Sequence, residues 1–279
     1  MRVLLRFAGQ WVAGQEMDEA LDRTVAANRR KMGGILNYLG EHYQDKPSVE
    51  AACQEYRQLL EAIRSRGLDA SISIKLSQCG LEVDLEYCRQ KVAHLATVAR
   101  ERGVFLWFDM EQASLVPETL AIYQETLETY SRTGVCVQAN LRRTEDDVKS
   151  LLSIGAKIRL TKGAYRPTEA SGFLRQEEID ENYLVLLRSL FEHGDNFAVA
   201  THDGALIQET VHLAEIHHKT FEFQMLLGVR DPLKRELLSR GFTVNEYIPY
   251  GPQWLPYFAR RLRERPRNIV TMFQSFLQG

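Results

Sequence analysis

Eight short apolar runs recur along the chain, each of strand length and rich in β-branched or aromatic residues. They cover residues 34–39, 72–76, 104–108, 135–139, 157–161, 197–201, 221–225 and 243–248. Segments with helical periodicity separate them. Residues 49–66 carry apolar side chains at helical spacing and meet a stop at Gly67. Residues 85–102 end in basic side chains before Gly103, as a helix C-terminus prefers. Pro117 suits the first turn of a helix running to Arg132. Thr144, followed by Glu145, Asp146 and Asp147, reads as an N-cap and an acidic first turn. Further helices are predicted over 177–192, 205–217, 231–239 and 253–277, and an extra one over 17–31 precedes the first strand.

Eight strands alternating with helices predict an α/β fold, a (β/α)8 TIM-type barrel. The extra N-terminal helix and a C-terminal helix covering the site complete it. A doubly wound open sheet is the weaker alternative, because no GxGxxG follows the first strand. With no repeat, linker or low-complexity tract, residues 1–279 read as one domain.

Composition narrows the function. Apolar residues make up 44% of the chain, which excludes a disordered protein. Lysine plus arginine number 35 against 37 aspartate plus glutamate, for a net charge of −2. General electrostatic attachment to nucleic acid is therefore not expected. No stretch approaches the ~20 apolar residues needed to span a bilayer. The N-terminal run Val3-Leu4-Leu5 is broken by Arg6, so a cytoplasmic protein is expected. Cys53, Cys79, Cys88 and Cys136 form no CxxC pair, and read as buried free thiols rather than metal ligands.

In such a barrel the strand C-termini carry the chemistry. The polar residues there are Lys75, Ser77 and Gln78 after strand two, and Asp109 and Glu111 after strand three. Strand four ends with Gln138 and Asn140, and strand five ends with Arg159 and then Lys162-Gly163. Thr201-His202-Asp203 follows strand six, Tyr247 and Tyr250 sit in strand eight, and Arg260, Arg261 and Glu264 lie in the last helix. Each has a bland reading. Lys75 faces the barrel if Ile74 and Leu76 face the helices, and an ion pair with Asp109 would satisfy it. Thr201-His202-Asp203 could be a plain helix cap. As a group, Lys75, Arg159, Lys162, Arg260 and Arg261 with only Asp109 and Glu264 nearby call for an anionic ligand bearing a carboxylate or phosphate. No HExxH, cysteine cluster, GxSxG or GxxxxGKS is present, so no metal site is expected. The residues alone leave a barrel enzyme with a phosphate-bearing cofactor and a carboxylate substrate, a Schiff-base lyase built on Lys75, and a silent ligand-binding protein as alternatives.

The strand-end segments resemble the proline dehydrogenase family over nearly the whole chain. They are Ile74-Lys75-Leu76-Ser77-Gln78, Phe108-Asp109-Met110-Glu111, and Gln138 with Leu141-Arg142-Arg143-Thr144. Next come Arg159-Leu160-Thr161-Lys162-Gly163-Ala164-Tyr165, Ala200-Thr201-His202-Asp203 and Phe221-Glu222-Phe223-Gln224-Met225-Leu226 with Gly228-Val229-Arg230. Tyr247-Ile248-Pro249-Tyr250-Gly251 and the run from Tyr257 through Arg260-Arg261 to Glu264-Arg265-Pro266 close the series. Thr161 and Arg166 depart from residues common in relatives. The resemblance implies FAD-dependent oxidation of L-proline to Δ1-pyrroline-5-carboxylate, with hydride transfer from proline C5 to flavin N5. Arg260, Arg261 and Lys75 would bind the carboxylate, with Asp109 and Glu264 orienting those cations. Tyr247 would pack on the pyrrolidine ring and favour proline over hydroxyproline. Asp109 and Arg159 would serve catalysis, with Arg159 near the flavin N5. Met110, Gln138, Thr161, Lys162, Gly163, Ala164, Thr201 and His202 would line the FAD. A membrane quinone at the inner face of the plasma membrane is the implied electron acceptor. The length leaves no room for an aldehyde dehydrogenase domain, which implies a separate pyrroline-5-carboxylate dehydrogenase as pathway partner.

Overall fold

A computed structural model of the chain describes residues 9–264, with side chains described through Ala259. Its strands are β1 (Gly33–Tyr38), β2 (Ala70–Ile74), β3 (Leu106–Phe108), β4 (Thr133–Gln138), β5 (Lys157–Thr161), β6 (Asn196–Val199), β7 (Thr220–Leu226) and β8 (Thr243–Tyr250). All pair in parallel in sequence order, and β8 returns to β1 to close the barrel. The helices are α1 (Met17–Arg29), α2 (Lys46–Ser65), α3 (Leu85–Arg102), α4 (Val116–Thr129) and α5 (Thr144–Ser153). They continue as α6 (Gln176–His193), α7 (Gly204–His217), α8 (Asp231–Ser239) and α9 (Trp254–Glu264). The expected (β/α)8 barrel is therefore the fold.

Strand alternation builds two different surfaces. Ile72 and Ile74, Leu106 and Phe108, and Ile158 and Leu160 point outward and join the main core under the helices, all fully buried. The inward positions between them are Ser73 and Lys75, Trp107 and Asp109, and Arg159 and Thr161. Polar side chains at every second position of an otherwise apolar strand thus collect inside the barrel. The four cysteines are buried and free.

Two helices depart from the plain alternation. α1 lies against the outside of β1 and β8, where Thr24 packs so closely that a side chain at Gly34 would meet it at 2.8 Å. α9, which follows β8, instead brings Tyr257 to the mouth of the barrel. Trp254 and Phe258 of α9 bury themselves with Trp11, Val12, Leu39 and Val229, so the N-terminal segment clamps this helix. Gly228 makes the clamp possible. It sits at φ +66°, and a Cβ there would lie 1.8 Å from the Gln10 carbonyl oxygen.

Local boundaries differ from the sequence reading in instructive ways. Thr144 does not cap α5 but is its first residue, because its hydroxyl donates to the Gln138 carbonyl at 2.6 Å. β8 runs two residues further than predicted, through Pro249, whose missing N–H does no harm and whose carbonyl accepts from Ala13 N–H at 2.8 Å. β3 is shorter than predicted, since its ladder to β4 begins only at Leu106. The part of the predicted last helix beyond Glu264 lies outside the described residues.

Candidate active site

The floor of the site is apolar. Ile35, Trp107 and Ala198 form a small cluster inside the barrel, with Tyr247 packed against it. Gly134 gives the indole room, since a Cβ there would stand 2.4 Å from the ring. Two β5 cations flank Trp107: Arg159 at 4.3 Å and Lys157 at 5.3 Å from ring centroids. Lys157 is also paired with Glu222 at 2.8 Å.

Asp109 is the hub above that floor. Its Oδ1 accepts from Ser73 Oγ at 2.6 Å and from Arg159 Nη1 at 2.6 Å, and its Oδ2 accepts from the Tyr247 hydroxyl at 2.6 Å. Burial, reinforced by the Asp109 charge, holds the Tyr247 phenol well above the usual tyrosine range, so it remains a donor. Arg159 is only 3% exposed. Its Nε and Nη2 are buried and have no partner among the described residues, as is true of Gln224 Oε1.

The other cations carry carboxylates too. Lys75 pairs with Glu41, from the loop after β1, and not with Asp109. The expected Lys75–Asp109 pair is thus corrected, because Arg159 and Tyr247 already occupy Asp109. That ion pair also engages the nitrogen a Schiff base would need. Lys162 is bound by Asp180 at 2.5 Å and Asp203 at 2.9 Å. Desolvation raises the Asp203 carboxyl, but Lys162 and two helix N–H groups hold it below the usual aspartate range. Asp203 caps α7 through Ala205 and Leu206, and His202 beside it accepts at Nε2 from Leu226 N–H at 2.9 Å. The predicted surplus of uncompensated cations is therefore absent among the described side chains.

Glu111 supports the site from beneath. It is fully buried, accepting from Ser77 N at 3.0 Å and Ser77 Oγ at 2.5 Å. Burial pushes its carboxyl above the usual glutamate range. Its backbone carbonyl accepts from Gln138 Nε2 at 2.7 Å, which fixes that amide. Burial likewise pushes the Cys136 thiol up, which argues against a nucleophilic role.

These groups surround a cavity of about 690 Å³ at the carboxyl ends of the strands. Lys75, Asp109, Met110, Gln138, Arg159 and Thr161 line it, as do Lys162, Gly163, Ala164, Thr201, His202 and Tyr247. Every residue to which the resemblance assigns a role and whose side chain is described is thus in one place, whereas the strand-end candidates Ser77, Gln78, Glu111, Asn140 and Tyr250 do not line the cavity. Arg260, Arg261 and Glu264 fall in or at the end of α9, and their side chains lie outside the described residues. Asn37, Gln224 and Tyr257 also line the cavity and were not anticipated, nor was Glu41 beside Lys75. Asn37 and Gln224 carried a readable signal, each being a polar residue at the inward parity of an apolar strand. Glu41, in a loop, carried none.

A parallel eight-stranded barrel whose strand C-termini open on a cavity with an apolar floor and convergent polar side chains defines a (β/α)8-barrel enzyme with a small-molecule site. Comparison with known proteins gives the particular family. The proline dehydrogenase family model matches residues 20–272, and the chain belongs to that family, which carries out the first step of proline catabolism. The chain is 33% identical to a proline dehydrogenase of Deinococcus radiodurans, over 98% of this chain and 90% of that protein. It is 31% identical to proline dehydrogenase 1 of Bacillus subtilis subsp. natto, over 97% and 91% respectively. Among solved structures, proline utilization A (PutA) from Bdellovibrio bacteriovorus, inactivated by N-propargylglycine, superposes with a TM-score of 0.84 at 24% identity. That match covers 91% of this chain and 32% of the larger one, and speaks for the fold.

Proposed function

We propose that this chain oxidises L-proline to Δ1-pyrroline-5-carboxylate with FAD as cofactor and a membrane quinone as electron acceptor. One observation carries the reading: the buried Asp109–Arg159–Tyr247 constellation, in which two nitrogens of Arg159, Nε and Nη2, have no partner among the described residues. A buried guanidinium in that state lacks an acceptor. Together with the unpartnered Gln224 carbonyl it fits the edge of a flavin ring, which offers both acceptors and an N–H. The chemistry FAD supplies when bound is acceptance of a hydride from proline C5 at its N5, with the electrons passing on to the quinone.

The chain's own residues bind and orient. Arg159 would meet the ring and keep its charge balanced by Asp109. Gly163 and Ala164 allow backbone to approach the cofactor, while Met110, Gln138, Thr161, Thr201 and His202 complete its walls. Lys162 would face it with its charge already countered by Asp180 and Asp203. Tyr247, fixed through its hydroxyl by Asp109, offers its ring face to the pyrrolidine. Arg260 and Arg261 of α9, with Lys75, would grip the carboxylate, Glu264 orienting them. Cations around the carboxylate also favour loss of the proline ammonium proton, so no dedicated strong base is required. Among the described residues no helix is long and apolar enough to cross a membrane. The reading includes contact with a quinone pool at the surface of the bilayer and passage of the product to a pyrroline-5-carboxylate dehydrogenase.

The test is an anaerobic titration of the purified protein. Yellow protein whose flavin bands bleach with L-proline, and far less with hydroxyproline, is the expected result. Yellow protein that does not bleach would remove proline as substrate. Colourless protein that cannot be reconstituted with FAD would overturn the reading and return the Lys75 lyase to consideration.

A further inference from the structure

Behind the cavity, on the helix side of β8, lies a buried charge cluster that the reaction above does not use. Lys234 of α8 is 1% exposed and Glu246 of β8 is fully buried. Lys234 Nζ donates to Glu246 Oε1 at 2.5 Å, to Asp231 Oδ1 at 2.9 Å and to the carbonyl oxygen of Leu226 at 2.8 Å. Its three hydrogens are thereby all engaged. Glu246 Oε2 accepts from Arg30, the residue that follows α1, at 3.2 Å.

A buried ion pair is a weak source of stability, since apolar residues of similar size do as well. What singles this one out is the third hydrogen bond. The peptide joining Leu226 to Leu227 is held at its carbonyl by Lys234 and at its N–H by the carbonyl of Tyr247, at 2.9 Å. The N–H of Leu226 donates to His202 Nε2 at 2.9 Å, which places the proton of the neutral ring on Nδ1. Leu226, Tyr247 and His202 all line the cavity. One ammonium on the far side of the sheet thus anchors the backbone unit that three cavity residues share. Its partner Glu246 is the chain neighbour of Tyr247, so the pull on both strands has a single origin.

We propose that Lys234 is a positioning residue for the active site, acting through the Leu226–Leu227 peptide to set Tyr247 against the substrate and His202 in one tautomer. The Tyr247 part rests on the proposed proline oxidation. The His202 part does not.

The test compares wild type, K234M and K234M/E246L, each loaded with FAD. K234M strands Glu246 and Asp231, so its melting temperature falls. K234M/E246L removes the stranded buried charge, and Arg30, 44% exposed at its side chain, rejoins solvent. Its melting temperature returns to the wild-type value or above. The Leu226 carbonyl is still unheld, however. KM for L-proline is expected to stay raised about tenfold with kcat within about twofold. The 15N signals of His202 are expected to move from a fixed Nδ1–H tautomer toward a mixture. A double variant that regains the wild-type KM along with its stability, or keeps the wild-type His202 signals, overturns the proposal. Wild-type protein that fails to turn over proline defeats the proposed function, and the His202 signals then decide the role of Lys234. Should K234M fail to fold, the double variant carries the test alone.

Discussion

Replacing Asp109 by asparagine keeps the shape of the hub and deletes its charge. Arg159 is 3% exposed at its side chain and Asp109 13%, so solvent screens their 2.6 Å contact little. Leaving one member of a buried ion pair uncompensated costs about 3–5 kcal/mol. Part of that is recovered, because the asparagine oxygen still accepts one hydrogen bond, worth about 1 kcal/mol. The contacts of the guanidinium with the Trp107 and Tyr247 rings, at 4.3 and 5.7 Å from their centroids, are the same in both proteins and offset nothing. The net loss expected is about 2–4 kcal/mol, or roughly 3–7 °C in Tm for a chain of this length. Urea unfolding followed by circular dichroism reads the first number and thermal melting the second. Activity should fall further than stability, by about a hundredfold, because Arg159 and Tyr247 lose their common anchor together. A D109N variant within about 1 kcal/mol of wild type would refute the hub and leave Arg159 held by its ring contacts and its 3.1 Å hydrogen bond to Ser73 Oγ.

Three further outcomes are expected. Burial raises the native pKa of Glu111, so the stability its neutral form provides is fully present below the ordinary glutamate pKa. That stability is lost as pH rises through the raised native value; E111Q should flatten this slope in thermal melts taken across the acid range, and an unchanged slope would assign it to another group. Gly163 sits at φ +107° with a built Cβ only 2.1 Å from Asn140 Oδ1, so G163A should cost about 1–3 kcal/mol and release flavin during gel filtration, whereas full retention would contradict the cavity wall described. R260M should weaken L-proline binding in the anaerobic titration more than K75M does, because Lys75 already spends its charge on Glu41. The reverse order would make Lys75 the main carboxylate ligand.

Much of this architecture is legible in the chain itself. Each strand signals its presence by an apolar run, and the inward residues announce themselves by parity: Ser73 between Ile72 and Ile74, Trp107 between Leu106 and Phe108, Arg159 between Ile158 and Leu160. Partner choice is what the pattern leaves open. Lys75 and Asp109 stand on adjacent strands, an opposite-charge pair by any local reading. The structure pairs them otherwise, because Arg159 reaches Asp109 across the barrel and a loop delivers Glu41 to Lys75. Such contacts join residues on separate strands and loops, and a one-dimensional pattern has no period that encodes them. Thr144 shows the same limit on a smaller scale. Its local sequence is that of a cap, yet its hydroxyl is taken by the Gln138 carbonyl.

These pairings change what the cavity offers an anion. Lys75 with Glu41, and Arg159 with Asp109, are each neutral as pairs, while Lys162 faces two carboxylates. The described wall of the barrel therefore presents no net positive charge to an incoming carboxylate. It presents oriented donors, and donors fixed in advance cost no reorganisation when a ligand arrives. On the proposed reading the attracting charge comes from α9, the element whose sequence carries Arg260 and Arg261. That helix is held at the barrel mouth by a cluster in which Trp254 and Phe258 pack with Trp11, Val12, Leu39 and Val229. Proline binding would then draw its charge from a clamped helix and its ring contact from the strands, and the N-terminal segment that clamps α9 would belong to the functional part of the molecule as much as the strands do.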